Sequence, residues 1–264
     1  MKKYVMVVSN SLQEYFAYRL NFILWRVRVI VSILISFFLW QTIFKTKSQV
    51  FGYQQSQMLT YILLITFLNG IVLSTQTFRV AEEINLGTLS NFLIRPFSYF
   101  GYVMSRDISD KIVNTFFSIF EIIFLIIILH PPIFVQTSVY WLGLFFVTFI
   151  LAALLFFEIG MMLSIIGFWS RDTWAPRFIF FILVTFLAGT YFPLDILPKP
   201  IYSFLQFLPF TYLIFFPLKI YLGQMDSFFL LRGLGIMISW IILMSVILRY
   251  SWRRGLKIYT AEGI

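Results

Sequence analysis

Six long apolar stretches, nearly free of charge, leave this chain few folds to choose from. Hydrocarbon offers no water to backbone N–H and C=O groups, so a segment that crosses a bilayer must satisfy them within itself, as a helix does. The stretches lie at roughly 29–44, 58–78, 112–130, 139–168, 178–193 and 230–248. About 20 apolar residues span a bilayer, so 139–168 must tilt or project. Only 12% of the residues are charged, against about 25% in a soluble domain. A mean hydropathy of +0.90 agrees. The expected fold is an all-α membrane protein with one transmembrane domain over 1–264. The absence of cysteine excludes disulfides, zinc thiolates and cysteine catalysis.

Residues 1–26 set Tyr4, Val5, Val8, Leu12, Tyr15, Phe16 and Leu20 against Lys2, Lys3, Gln13, Glu14 and Arg19. That pattern predicts an amphipathic helix lying in the interface. Its polar residues interrupt any signal-peptide core, so no cleaved signal is expected. Trp25 and Trp40 flank the first span as interfacial anchors. Between the fifth and sixth spans, Ile201–Leu218 carries no charge but contains Pro209 and Pro217, with Pro193, Pro198 and Pro200 just before it. Proline removes a backbone hydrogen bond that lipid cannot replace, so short re-entrant helices fit better than one span.

Charge sets the topology. With six spans and both termini cytoplasmic, the inside segments carry Lys2, Lys3, Arg19, Arg26, Arg28, Arg79, Arg95, Arg106, Lys111, Arg171, Arg177, Arg249, Arg253, Arg254 and Lys257, fifteen of the 20 basic residues. Only Lys45, Lys47, Lys199, Lys219 and Arg232 fall outside. This is a strong positive-inside bias. It also accounts for the net charge of +9 without nucleic acid.

The stretch Arg79–Pro96 is then a polar cytoplasmic insert between spans two and three. Glu82 and Glu83 precede Leu86, Leu89, Phe92 and Leu93 at helical spacing, which predicts a brief amphipathic helix ended by Arg95-Pro96. One apolar face down and charges up suits docking to another protein.

Two acids fall inside spans, Glu121 and Glu158. An intramembrane acid is costly and marks a candidate functional site. Glu121 lies about 15 Å beyond Lys111 at ~1.5 Å per residue. Each acid serves either as a proton or cation relay or as a hydrogen-bonding group at a buried helix seam. His130, the only histidine, stands before two prolines without acids beside it, so neither a metal site nor a catalytic triad is expected. Asp195 and Asp226 flank the re-entrant region, where a solvated loop is the default and gating of an exit path the sharper possibility. No G-x-x-x-x-G-K-[ST], G-x-S-x-G or H-E-x-x-H occurs, so the chain carries no recognisable engine of its own.

With these residues in view, the sequence resembles the membrane subunits of ABC-2 type ABC transporters, the small six-span bacterial permeases encoded beside a separate ATPase. Three stretches carry the resemblance. Glu83-Ile-Asn-Leu-Gly-Thr-Leu-Ser-Asn-Phe-Leu-Ile-Arg-Pro96 is similar to the family's E-x-x-x-G-T-L…L-x-x-P element, and Gly167-Phe-Trp169 precedes a polar turn. Gly189-Thr-Tyr-Phe-Pro-Leu-Asp-Ile-Leu-Pro198, Leu208-Pro209-Phe210 and Phe216-Pro217-Leu218…Gly223 follow the family's run between the last two spans. The resemblance implies a coupling helix at about 82–96, with Glu82, Glu83, Gly87, Thr88, Leu89 and Arg95 at the ATPase. It also implies an outer re-entrant region holding Pro193, Asp195, Pro209 and Pro217. The implied assembly has two ATPases and a second permease, identical or homologous, in the bacterial cytoplasmic membrane. ATP and magnesium would sit on the partner, with no cofactor and no catalytic residue here. The cargo would be hydrophobic or amphipathic, and its direction outward. Two other classes compete: a secondary transporter or channel running on Glu121 and Glu158, and a membrane enzyme, which the lack of clustered His, Asp and Glu disfavours.

Overall fold

The computed structural model describes residues 2–17 and 19–260. The side chains of Lys2, Glu14, Tyr15, Phe16 and Arg19, expected to pattern the N-terminal helix, lie outside the described residues, as do Met1, Tyr18 and 261–264. The chain is 76% helical. In order it forms α1 (Lys2–Ala17), α2 (Arg19–Phe44), a two-residue hairpin of β1 (Gln49–Val50) and β2 (Tyr53–Gln54), α3 (Gln55–Ile71), α4 (Phe78–Asn85), α5 (Ser90–Leu93), α6 (Tyr99–Leu129), α7 (Val139–Ser164), α8 (Trp174–Leu187), α9 (Lys199–Leu205), α10 (Phe215–Tyr221) and α11 (Ser227–Ile258). Among the described residues, four helical stretches are long and apolar enough to cross a membrane: Phe22–Phe44, Tyr99–Leu129, Val139–Phe168 and Ser227–Ile258. A fifth results if Lys199–Leu205 and Pro209–Tyr221, bent by 80°, count as one crossing. The protein is therefore a multi-pass membrane protein.

Several boundaries differ from those the apolar runs predict, and each difference has a polar cause. The first crossing starts within α2 well before residue 29, because Arg26 does not end the helix; it finds an acid inside the bundle. The second run stops at Ile71 rather than 78. Ser74 and Gln76 turn their side chains onto α6 instead, Ser74 Oγ bonding the Asp110 carboxylate and Gln76 Nε2 reaching its Oδ1 at 3.1 Å. Short polar side chains that find such partners compete with helix continuation. The third helix begins at Tyr99 rather than 112, so 99–111 is helix and not loop. The run at 139–168 is helical throughout, its last turn tightened to 3-10 form. The fifth run yields only the 14 residues of α8, about 21 Å at ~1.5 Å per residue. It ends at Gly189, where a φ of +80° and a Cβ position 3.0 Å from Tyr61 Oη and 3.1 Å from Phe215 Cβ would both strain a side chain.

α3 forms the centre. Eleven of its 17 residues are buried, from Met58 to Ile71. A helix apolar on every side belongs inside its bundle. Around it packs one large core that includes Phe37, Tyr61, Leu155, Phe215 and Met237. Trp40, expected at the interface, is 5% exposed and sits in this core. A second, smaller core gathers Val80, Ile84, Leu89, Tyr99, Phe168 and Trp252 beneath the α4–α5 region. α1 lies along the first turns of α6, with Tyr4 against Gly101 and Ser109 Oγ donating to the Val8 carbonyl at 3.3 Å.

The buried pair of α2 and α6 generates a prediction. Arg26 Nε lies 2.6 Å from Glu121 Oε1, both side chains under a tenth exposed. Removing one partner strands the other charge, which costs about 3–5 kcal/mol, whereas replacing both with apolar groups costs far less. Arg26→Met is therefore expected to lower the unfolding midpoint in detergent well below that of the Arg26→Met/Glu121→Leu double variant. Equal losses would mean the two residues act independently.

Candidate functional site

The insert at 79–96 is not one helix but an elbow. α4 and α5 meet at Gly87, whose φ of +72° ends the first helix. A left-handed residue costs an L side chain roughly 1–2 kcal/mol, so glycine serves the turn. The break redistributes the apolar set expected to share one face. Leu89 is fully buried and Phe92 packs on Tyr102 at 4.8 Å, while Leu86 is 73% and Ile94 84% exposed. Leu93 also faces outward. Glu82, Thr88 and Arg95 are exposed beside these apolar groups.

Glu83 points the other way. Its Oε1 accepts from Arg106 Nη1 at 3.0 Å and its Oε2 accepts from the Tyr99 hydroxyl. Both partners are on α6. Burial pushes its carboxyl above the usual range, opposed by Tyr99 and Arg106. Two further ties hold the elbow. Asn85 Nδ2 donates to the Arg171 carbonyl at 2.8 Å, in the α7–α8 connection. The Tyr259 hydroxyl, just past α11, donates to the Gly87 carbonyl at 2.6 Å and accepts from Ser90 N at 3.1 Å. Trp252 of α11 stacks on Tyr99 at 5.3 Å and 15°. The elbow is thus bonded to α6, to the start of α8 and to the end of α11.

From the elbow a polar stripe runs along α6 into the bundle. Asp107, Asp110, Asn114, Ser118 and Glu121 recur at intervals of three and four residues, so they share one face. All are buried. Asp107 accepts from Gln76 N at 3.3 Å and pairs with Lys111 at 3.0 Å; Lys111 Nζ also donates to the Ser74 carbonyl at 2.7 Å. Deeper, Arg26 of α2 bonds Asn114 Oδ1 at 3.3 Å and Ser118 Oγ at 3.4 Å besides Glu121. The apolar run singles out Glu121 but not the stripe, because Asp107 and Asp110 precede the stretch predicted to span at 112–130. The three-four spacing running back from Glu121 is the signal that finds it. Glu158 sits on a separate seam, where Ser245 Oγ of α11 donates to its Oε1.

At the opposite end of the bundle Asp195 is not a solvated loop residue. It accepts from Tyr53 Oη at 2.9 Å and pairs with Lys219 Nζ at 2.8 Å, and Lys219 also donates to Gln224 Oε1 at 2.8 Å. Burial and the nearby carboxylate push the Tyr53 phenol far above its ordinary value. Pro193, Pro209 and Pro217 are buried. Beside this cluster lies a cavity of about 360 Å³, reached by Tyr202, Phe216, Phe229 and Arg232. Asp226 caps α11 through Phe229 N at 2.8 Å.

Two outcomes follow. Tyr259→Phe keeps the ring and loses both hydrogen bonds to the elbow, worth about 1–2 kcal/mol together; amide exchange at 86–90 is expected to speed several-fold while that in α3 stays unchanged. Glu83 supplies the pH dependence. Its carboxyl pKa is raised on folding, so the stability from its protonation is complete below the unfolded value near 4.5 and disappears as pH rises through the folded value. Glu83→Gln is expected to flatten the fall in unfolding temperature over that window, and an unchanged slope would assign the effect elsewhere.

A family model described as ABC-2 family transporter protein matches residues 30–263, which takes in α3 through α11, the elbow and both polar seams. No curated protein matches. The matched region is nearly the whole chain, and a bundle of apolar helices is what a membrane component of that family requires. The chain belongs to the ABC-2 family of transporter proteins, as a membrane component.

Proposed function

We propose that the protein is the permease of an ATP-driven exporter and that a separate ATPase seats on the elbow. Six crossings follow from this reading: α2, α3, α6, α7, α8 and α11, with α9 and α10 folding back at the outer face. Both termini and the elbow lie in the cytoplasm, which the basic residues counted on that side favour, fourteen of them once the buried Arg26 is set aside. The native setting is then the bacterial cytoplasmic membrane. Two ATPases and a second permease, the same chain or a homologue, complete the transporter. ATP and magnesium belong to the ATPase.

One observation carries the proposal: the elbow presents a mixed apolar and charged face outward while its inner side is bonded to three separate parts of the bundle. Leu86, Ile94, Glu82, Thr88 and Arg95 form the outward face. Exposed leucine and isoleucine beside charge suit a groove on a partner better than water. Glu83, Gly87 and Leu89 act from within, holding the elbow's shape and its grip on α6. Closure of the nucleotide-bound ATPases then moves the elbow, and α6, α8 and α11 move with it as levers between two states. A largely apolar, aromatic bundle favours a hydrophobic or amphipathic cargo.

The relay reading of Glu121 is disfavoured by its contact with Arg26, which neutralises the charge a relay would exchange. For the coupling reading the test is charge reversal on the outward face. Glu82→Lys and Arg95→Glu are expected to lower co-purification of the ATPase and transport-stimulated ATP hydrolysis by roughly tenfold, equivalent to about 1.4 kcal/mol of docking. Both should change the unfolding temperature little, since both side chains are exposed and the contact of Arg95 with the Phe92 ring, at 5.6 Å, is worth about 0.5–1 kcal/mol at such a site. Full association in the double variant would remove the elbow as the docking site.

A further inference from the structure

Between α7, α8 and the connection leading into α4 lies a second cavity, of about 270 Å³. Trp174, Phe178 and Phe181 of α8, Phe156 of α7 and Phe78 of α4 line it, together with one cation, Arg177. Trp174 is 69% exposed and stacks on Phe178 at 5.0 Å and 8°. Phe178 and Phe181 are each close to half exposed, so the cavity opens sideways along the apolar surface of α8.

Arg177 is half-buried, and its only hydrogen bond among the described residues goes from Nη2 to Ser164 Oγ at 2.7 Å. It forms no ion pair among them. Ser164 cannot neutralise it, since its hydroxyl carries no charge; it passes the contact on to the Thr77 and Gly160 carbonyls, 2.7 Å from each. The acids nearby are otherwise placed. Glu82 reaches Arg177 only through its field. Asp172 caps the first turn of α8, accepting from Trp174 N at 3.1 Å and Ala175 N at 3.3 Å. A guanidinium carries five donors and takes a phosphate in two-point contact. Here one donor is used, at the mouth of an aromatic cavity.

We infer that this cavity binds an anionic phospholipid, its phosphate on Arg177 and an acyl chain along Trp174, Phe178 and Phe181. A free phosphate would gain nothing from the exposed rings, and in a zwitterionic lipid the headgroup's own ammonium offsets the attraction of its phosphate for the cation. The bound headgroup would lie against Ser164 and Phe78, next to the root of the elbow. The assignment stands on this cavity alone and does not depend on the ATPase.

Lipid retention by the 264-residue chain in mild detergent tests it, with phosphatidylglycerol and phosphatidylcholine vesicles as the two sources. After exchange and gel filtration, about tenfold more phosphatidylglycerol than phosphatidylcholine is expected to remain bound, a preference of about 1.4 kcal/mol. Arg177→Gln should abolish the preference and Arg177→Lys, which keeps the charge, should preserve it. Equal retention of the two lipids, or an undiminished preference in a folded Arg177→Gln chain, overturns the assignment. Displacement of the lipid by millimolar inorganic phosphate would also overturn it, by making the anion alone the ligand. Should Arg177→Gln fail to fold, brominated phosphatidylglycerol gives a second readout. It is expected to quench tryptophan fluorescence beyond brominated phosphatidylcholine in the native chain and not in Trp174→Phe, and the same excess in both would refute the site.

Discussion

Polar groups inside an apolar bundle must find one another, and in this protein the requirement falls mainly on one face of α6. Asp107, Asp110, Asn114, Ser118 and Glu121 all point into the bundle from that face. Water is the partner they lack. Arg26 answers from α2, Ser74 and Gln76 from the connection after α3, and Lys111 from the next turn of α6 itself. Such bonds add modest stability but fix rotation, because a helix turned by one residue would face its acids toward lipid. Gly70 of α3 meets the stripe closely; a Cβ there would fall 2.8 Å from Ser118 Oγ. Small residues at such crossings let helices approach until side-chain bonds can form.

The elbow inherits its placement from that stripe. Because Ser74 and Gln76 are held on α6, α3 cannot run on, and the chain leaves it toward the second core. Val80 and Ile84 fill that core from α4, and Leu89 from beyond the Gly87 turn. Glu83, Asn85 and the Gly87 carbonyl then fasten the elbow to three helices or their ends. Force applied at its outward face is therefore delivered to several spans at once, and the path to α11 through Tyr259 and Trp252 is as direct as the path to α6. The opposite end is arranged differently. There the proline-bent α9–α10 segment is held by Lys219, Asp195 and Tyr53, which meet from three distant parts of the chain.

Much of this was legible in the amino-acid order. Apolar length located the main helices, and 139–168 is helical to the residue. Proline content marked the bent segment between α8 and α11. The elbow stood out because hydrocarbon segments exclude charge, so a charged insert must lie at their edge. The helix ends were less legible, since a polar residue stops an apolar run whether it meets water or a buried partner. Arg26, Arg106 and Lys111 read as flanking charges, yet all three lie within helices and are paired. The elbow's single apolar face failed for a local reason: the positive φ of Gly87 rotates everything after it.

The sequence by itself determined that the chain is helical, that it lies in a membrane and that its charged insert is an edge feature, because the solvation of backbone and charge leaves no alternative. The tertiary structure alone decided which polar residues are partners. Arg26 and Glu121 are separated by 95 positions, and Tyr259 and Gly87 by 172. No periodicity within one helix reports a contact of that kind. Only the packing of the helices brings the groups within hydrogen-bond distance, and that packing makes Glu83 a brace and leaves Glu82 a surface charge, though the two are adjacent in the chain.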